Sequence, residues 1–153
     1  MRKFIYSLLA LLVFWFTLDI TGFSLGQFNL VESPGLQSVD AAWWAIFVVC
    51  SAIFLWKEHI GKYILSMFLA AWAVLQYLSH WHYTLFGASE RKLIGYNRVF
   101  ENTYHIIPPS NSVLIPDLYH IVLHVLIVTL FVLMVVKIFQ DHLKRHTLIK
   151  SNS

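Results

Sequence analysis

Five histidines crowd into one half of the chain, at 80, 82, 105, 120 and 124, and their spacing is the first hint of chemistry. In Asp117-Leu118-Tyr119-His120-Ile121-Val122-Leu123-His124 the titratable groups recur at i, i+3 and i+7. On an α-helix that spacing sets an acid and two imidazoles on one stripe, with apolar residues between them. Gln76 and His80 define a similar stripe on an earlier apolar segment, whereas His82 falls roughly 200° around that helix from His80.

Imidazoles at i and i+4 can grip one metal ion from a helix face. His80, His120 and His124 are therefore expected to meet in one site, with Asp117 as a ligand or as the carboxylate that orients a ring, around a divalent metal such as zinc. Ile121 stands where a zinc protease would carry the glutamate of HExxH, so a general base would have to come from Glu90, Glu101, Asp19 or Asp40. Asp19 lies about one turn inside an apolar segment, where ionisable groups are rare and usually functional. The same imidazoles could instead hold haem, His80 from one helix facing His120 or His124 from another. They could also relay protons between about pH 5 and 8. The plainest alternative makes them interfacial side chains that hydrogen-bond to loop carbonyls. An acid followed by HxxxH at the mouth of a membrane helix resembles in kind the sites of membrane metallohydrolases and hydroxylases, which carry more histidine boxes or more spans.

Other chemistries find no support. There is no GxSxG elbow, no SxxK and no phosphate-binding glycine loop. The lone Cys50 lies in an apolar run and can build neither a disulfide framework nor a CxxC site. It reads as a packing residue.

The elements that must position these residues are membrane helices. Of 153 residues 58% are hydrophobic and only 12% charged, about half the charge of a soluble domain. Four apolar stretches, about Phe4 to Phe23, Val39 to Trp56, Lys62 to His82 and Asp117 to Phe139, each approach the roughly 20 residues that cross a bilayer. The expected fold is a single all-α domain, an antiparallel bundle of four transmembrane helices. The first stretch could also serve as a signal peptide, with Arg2 and Lys3 before it and Ser24-Leu25-Gly26 after it. A retained helix fits better, because its loss would leave three spans.

Orientation follows from Lys and Arg. With the amino terminus inside, Arg2, Lys3, Lys57, Lys62, Lys137, Lys144, Arg145 and Lys150 are cytoplasmic, and only Arg91, Lys92 and Arg98 lie outside. Both termini are then cytoplasmic and the histidine cluster faces outward, in the plasma or inner membrane. Tyr6, Trp56 and Tyr63 would mark the inner interface, and Trp43, Trp44, Trp81 and Tyr119 the outer one. The tight inner turn around Lys57 to Gly61 makes the second and third helices neighbours. The outer loop, residues 83–116, is too long for a spacer, and Leu93, Tyr96 or Asn97, Phe100 and Tyr104 recur at helical spacing after a cap at Ser89. The tail from Gln140 to Ser153 reads as a solvated stop-transfer end.

The pI near 9.1 comes from these flanks rather than a basic stripe, so nucleic acid is not an expected partner. The leading functional expectation is a metal-dependent membrane enzyme acting on a lipid or lipid-linked substrate at the outer leaflet. Its rival is a non-catalytic helical subunit of a larger membrane complex or homo-oligomer. A b-type haem cytochrome stands third.

Overall fold

The computed structural model describes the backbone of residues 1–151 and the side chains of residues 1–144 and 147. It is mostly helical, and four of its helices are long and apolar enough to cross a membrane: Arg2–Thr21, Val39–Trp56, Glu58–Phe86 and Leu118–Lys144. Large apolar side chains on all four, among them Phe14, Val49, Met67 and Val132, are exposed, as suits helices solvated by lipid.

The first helix, α1 (Arg2–Thr21), ends at Gly22, whose φ of 71° is open to glycine and strained for other residues. A hairpin of β1 (Phe23–Leu25) and β2 (Phe28–Val31) follows, closed by Gly26-Gln27, an element the hydropathy reading does not anticipate. The next helix, α2 (Val39–Trp56), begins at Ser38, whose hydroxyl accepts from the Ala41 N–H at 3.1 Å. One residue, Lys57, separates α2 from α3 (Glu58–Gln76). That turn works because Gly61 lets α3 press on α2: a Cβ there would lie 2.3 Å from the Phe54 Cα.

Helix α3 does not stop at Gln76. It passes through a π-helical turn, Tyr77–Trp81, in which the His82 N–H reaches back five residues to the Tyr77 carbonyl, and continues as α4 (His82–Phe86). The outer segment contains α5 (Glu90–Val99), starting after Ser89 as the periodicity predicts, although the Ser89 side chain makes no capping bond. Phe100 and Tyr104 lie beyond its end. The last helix, α6 (Leu118–Ser151), runs well past Phe139, so the expected solvated tail is helical where it is described. Arg145 and Lys150, counted as cytoplasmic charges, have side chains outside the described residues.

Helix α2 packs along α3, α3 and α1 pack on α6, and α1 touches α2. The core at their centre is aromatic: Trp72 of α3 lies 4.5 Å from Phe16 of α1 and 5.2 Å from Phe47 of α2, ring centre to ring centre. Cys50 is buried in this core. Tyr119 belongs there too, fully buried and stacked on Trp15 at 5.8 Å.

At the end that carries the chain termini, charges are paired across helices. Glu58 accepts from Arg2 at 3.0 Å and from Lys137 at 2.7 Å, and buried Lys62 donates to Asp141. Lys62 is thus no surface flank but a strut from α3 to α6. A part-buried charge so paired avoids the desolvation cost of an isolated one.

Candidate functional site

The opposite end is built around the start of α6. Pro116 sets the helix entry, and the wholly buried Asp117 caps it: Oδ1 accepts from the His120 backbone N–H at 2.9 Å and from His120 Nδ1 at 2.7 Å. One carboxylate oxygen therefore starts the helix and fixes the ring three residues on. Burial pushes the Asp117 carboxyl up, but the hydrogen bonds and charge from His120 outweigh it and hold the group below the ordinary carboxylate value.

His80 sits opposite, on the π-turn of the third span. Its ring centre is 4.4 Å from that of His120, and its Nδ1 shares a 2.8 Å hydrogen bond with the Tyr96 hydroxyl of α5. Burial raises the Tyr96 phenol well above its ordinary value, so this hydroxyl keeps its proton. The result is a line of four groups, Tyr96, His80, His120 and Asp117, drawn from three elements, with Phe100 packed edge-on to His120 at 5.1 Å. Both Nδ1 atoms are engaged. Among the described residues no hydrogen bond reaches either Nε2.

His120 opens onto a cavity of about 260 Å³ between α1, β2, α2, α3, α5 and α6. Three acids line it, Asp19, Glu32 and Asp40, together with Gln76, Thr103 and the aromatic rings of Phe16, Trp72, Phe100 and Tyr119. No Lys or Arg is among the lining residues. Asp19 is only 9% exposed and has neither a hydrogen bond nor an ion pair among the described residues. The buried Tyr119 hydroxyl and Gln76 Oε1 likewise lack partners there.

The spacing argument therefore finds Asp117, His80 and His120 together. His124 instead packs at a tilt against Trp81, ring centres 5.6 Å apart, with its Nδ1 buried and unpartnered among the described residues. His82 packs among Tyr77, Tyr83 and Phe86, and His105 bonds the Thr103 carbonyl at 2.9 Å. Of the candidate bases, Asp19 and Asp40 line the cavity, whereas Glu90 and Glu101 are exposed and do not. Among the described residues no three His, Cys, Asp or Glu side chains are grouped to hold a metal ion. Axial haem ligands must stand on opposite sides of the macrocycle, and rings 4.4 Å apart leave no thickness for a porphyrin between His80 and His120.

Sequence reasoning missed Tyr96 and Tyr119 as site residues. Tyr96 was visible as a position on the apolar stripe of α5, but its partner across the chain was not. Tyr119 looked like an interfacial aromatic because its hydropathy is the same in either place.

No protein family matches the sequence, and neither a curated protein nor a solved structure shows detectable similarity to it. The arrangement itself must carry the argument. A carboxylate on Nδ1 selects the tautomer in which Nε2 is basic, and this pairing serves both general bases and metal-bound imidazoles.

Proposed function

We propose that this chain is an integral membrane enzyme that works at the loop end of its helices on a lipid or lipid-linked substrate, with His120 as general base and Asp117 as the residue that positions it. The observation that carries this reading is the Asp117–His120 pair, buried and opening onto an acidic, aromatic-walled cavity. Asp117 accepts from Nδ1, leaving Nε2 to take a proton from a substrate hydroxyl or a water, a role that contributes about 10²–10⁴ in rate. Asp19, unpaired and nearly buried, is the second titratable group and sits well to return the proton.

A divalent metal is the second form of the same proposal, supported by the two neighbouring imidazoles and by the lack of a basic residue in the lining. The Nε2 atoms of His80 and His120 would supply nitrogen ligands, and His124 would join them only by leaving Trp81. In either form the termini are cytoplasmic and the site faces outward, a reading that the basic flanks support. Reporter fusions after Ser153 and within the segment 27–37 should then report opposite sides of the plasma or inner membrane.

The test is turnover. Purified protein, with and without added zinc or magnesium, is incubated with a membrane lipid extract whose composition is followed by mass spectrometry, beside His120→Gln and Asp117→Asn. A lipid consumed by the wild type and spared by both variants supports the enzyme. Equal behaviour of all three, with no bound metal, gives the site to the rival, a non-catalytic subunit of a larger complex.

A further inference from the structure

The shape and charge of the cavity bear on what enters it. A metal ion needs its ligands at a point, but Asp19, Glu32 and Asp40 are spread around a space of about 260 Å³ and form no such group among the described residues. Negative charge distributed over a wall suits a larger, softer cation. The rest of the wall agrees, since Phe16, Trp72 and Phe100 present aromatic rings, and ring faces with carboxylates are how proteins recognise organic ammonium groups. The lining contains no Lys or Arg to serve as counter-ion. Of the groups that line the cavity, the Tyr119 hydroxyl and Gln76 Oε1 are buried without partners, and the nearly buried Asp19 carboxylate has neither a hydrogen bond nor an ion pair among the described residues. An acid held this way in a membrane protein calls for a cation or a proton.

We propose that this cavity is an ammonium-binding site, in which Asp19 is the counter-ion, Trp72 and Phe16 form the aromatic wall, and the ligand is an amine or quaternary-ammonium group. This deepens the reading of the site as an enzyme's by naming its substrate class, a headgroup that bears such a cation. The ammonium group stands against Asp19, and His120 lines the same cavity, so the rest of the substrate remains within its walls. An anionic phosphate alone would be repelled.

Equilibrium binding tests this independently of turnover, so a failed enzyme assay leaves it standing and the reverse also holds. Tryptophan fluorescence of the full chain in detergent is titrated with choline, with ethanolamine and with magnesium chloride as separate probes. Nanodiscs containing phosphatidylethanolamine or phosphatidylglycerol then tell a lipid headgroup from a free amine. Saturable binding of an ammonium probe is expected, weakened more than about thirtyfold in Asp19→Asn, which removes the buried counter-charge. Trp72→Phe, which keeps a ring, should weaken it about fivefold. Helix content by circular dichroism checks that both variants fold, and Asp40→Asn provides a second charge deletion if Asp19→Asn does not. Absence of ammonium binding, binding equal in wild type and the charge-deletion variants, or binding of magnesium alone overturns the proposal.

Discussion

Arg2, Lys62 and Lys137 at one end of the helices meet Glu58 and Asp141 in ion pairs, while at the other end Asp19 is buried without a cation and His80 faces His120 ring to ring. The same helices, α1, α3 and α6, supply both sets. The terminal end solves the problem that burial poses: each of these charges meets an opposite one, and the pairs tie three helices together. The loop end leaves the problem open, which costs stability and is therefore where a ligand or a reaction is to be sought.

The largest expected effect is at the turn that joins α2 to α3. Helix propensity alone would reward Gly61→Ala by about 1 kcal/mol. The 2.3 Å approach to the Phe54 backbone cannot yield, so a net loss of about 3 kcal/mol is expected, measured by thermal unfolding in detergent. Gly95→Ala on α5 is the control, since nothing lies within 4 Å of the added carbon. It should be neutral or slightly stabilising. Equal losses at both positions would refute the close packing.

Next comes Lys62→Met, which strips Asp141 of its nearest cation and leaves Lys137 at 3.6 Å. A loss of about 2 kcal/mol is expected, below that of a fully buried pair because Asp141 is one-third exposed. The double variant Lys62→Met with Asp141→Leu should recover most of it. No recovery would show that the strut matters for more than charge balance.

At the loop end, Asp117→Asn keeps an oxygen that can cap the helix but loses the charge-assisted bond to His120, and should cost about 1–2 kcal/mol at neutral pH. The pH dependence gives the sign. The Asp117 carboxyl titrates lower in the fold than in the unfolded chain, so its contribution is complete above about pH 3.9 and disappears as pH falls through the lower folded value. The gap between wild type and variant should close over that acid range. A gap independent of pH would mean that the charge of Asp117 is not what stabilises the fold.

The smallest effect has the opposite sign. Asp19→Asn should leave stability unchanged or raise it by up to about 1 kcal/mol, because it removes an unpaired acid from a nearly buried position. A loss of several kcal/mol would reveal a partner for Asp19 and erase the contrast between the two ends.

How far the sequence carries depends on the kind of signal. Hydropathy locates four helices because a span is long and each residue adds to the same sum, and the i, i+3, i+7 spacing brings Asp117 onto His120 because both sit within one turn of one helix. It fails at His124, which the same stripe predicts beside His120 but which meets Trp81, a residue forty-three positions earlier in another span. The π-turn was equally hidden. One extra residue in the turn at Tyr77–Trp81 changes how the end of the third span faces its neighbours, and no composition rule marks where a helix will take it. The hairpin is too short for alternation to register, with three residues in one strand and four in the other. Lys62 was read as a topology flank because charge counting records a lysine's side of the membrane, not the aspartate seventy-nine positions later that it meets.

The chain that closes the loop end also sets an order of events. The Tyr104 N–H bonds the Asn29 carbonyl at 2.7 Å, the Leu118 N–H bonds the Tyr104 carbonyl at 2.9 Å, and the Trp15 indole bonds the Tyr119 carbonyl at 3.2 Å. These threads join the first quarter of the polypeptide to the last. As the ribosome delivers the protein from its amino end, Asp19 enters the bilayer long before α6 exists to wall it in. The site is thus assembled last, and a protein interrupted before residue 118 would display an open acidic groove to the proteases and chaperones that survey the membrane.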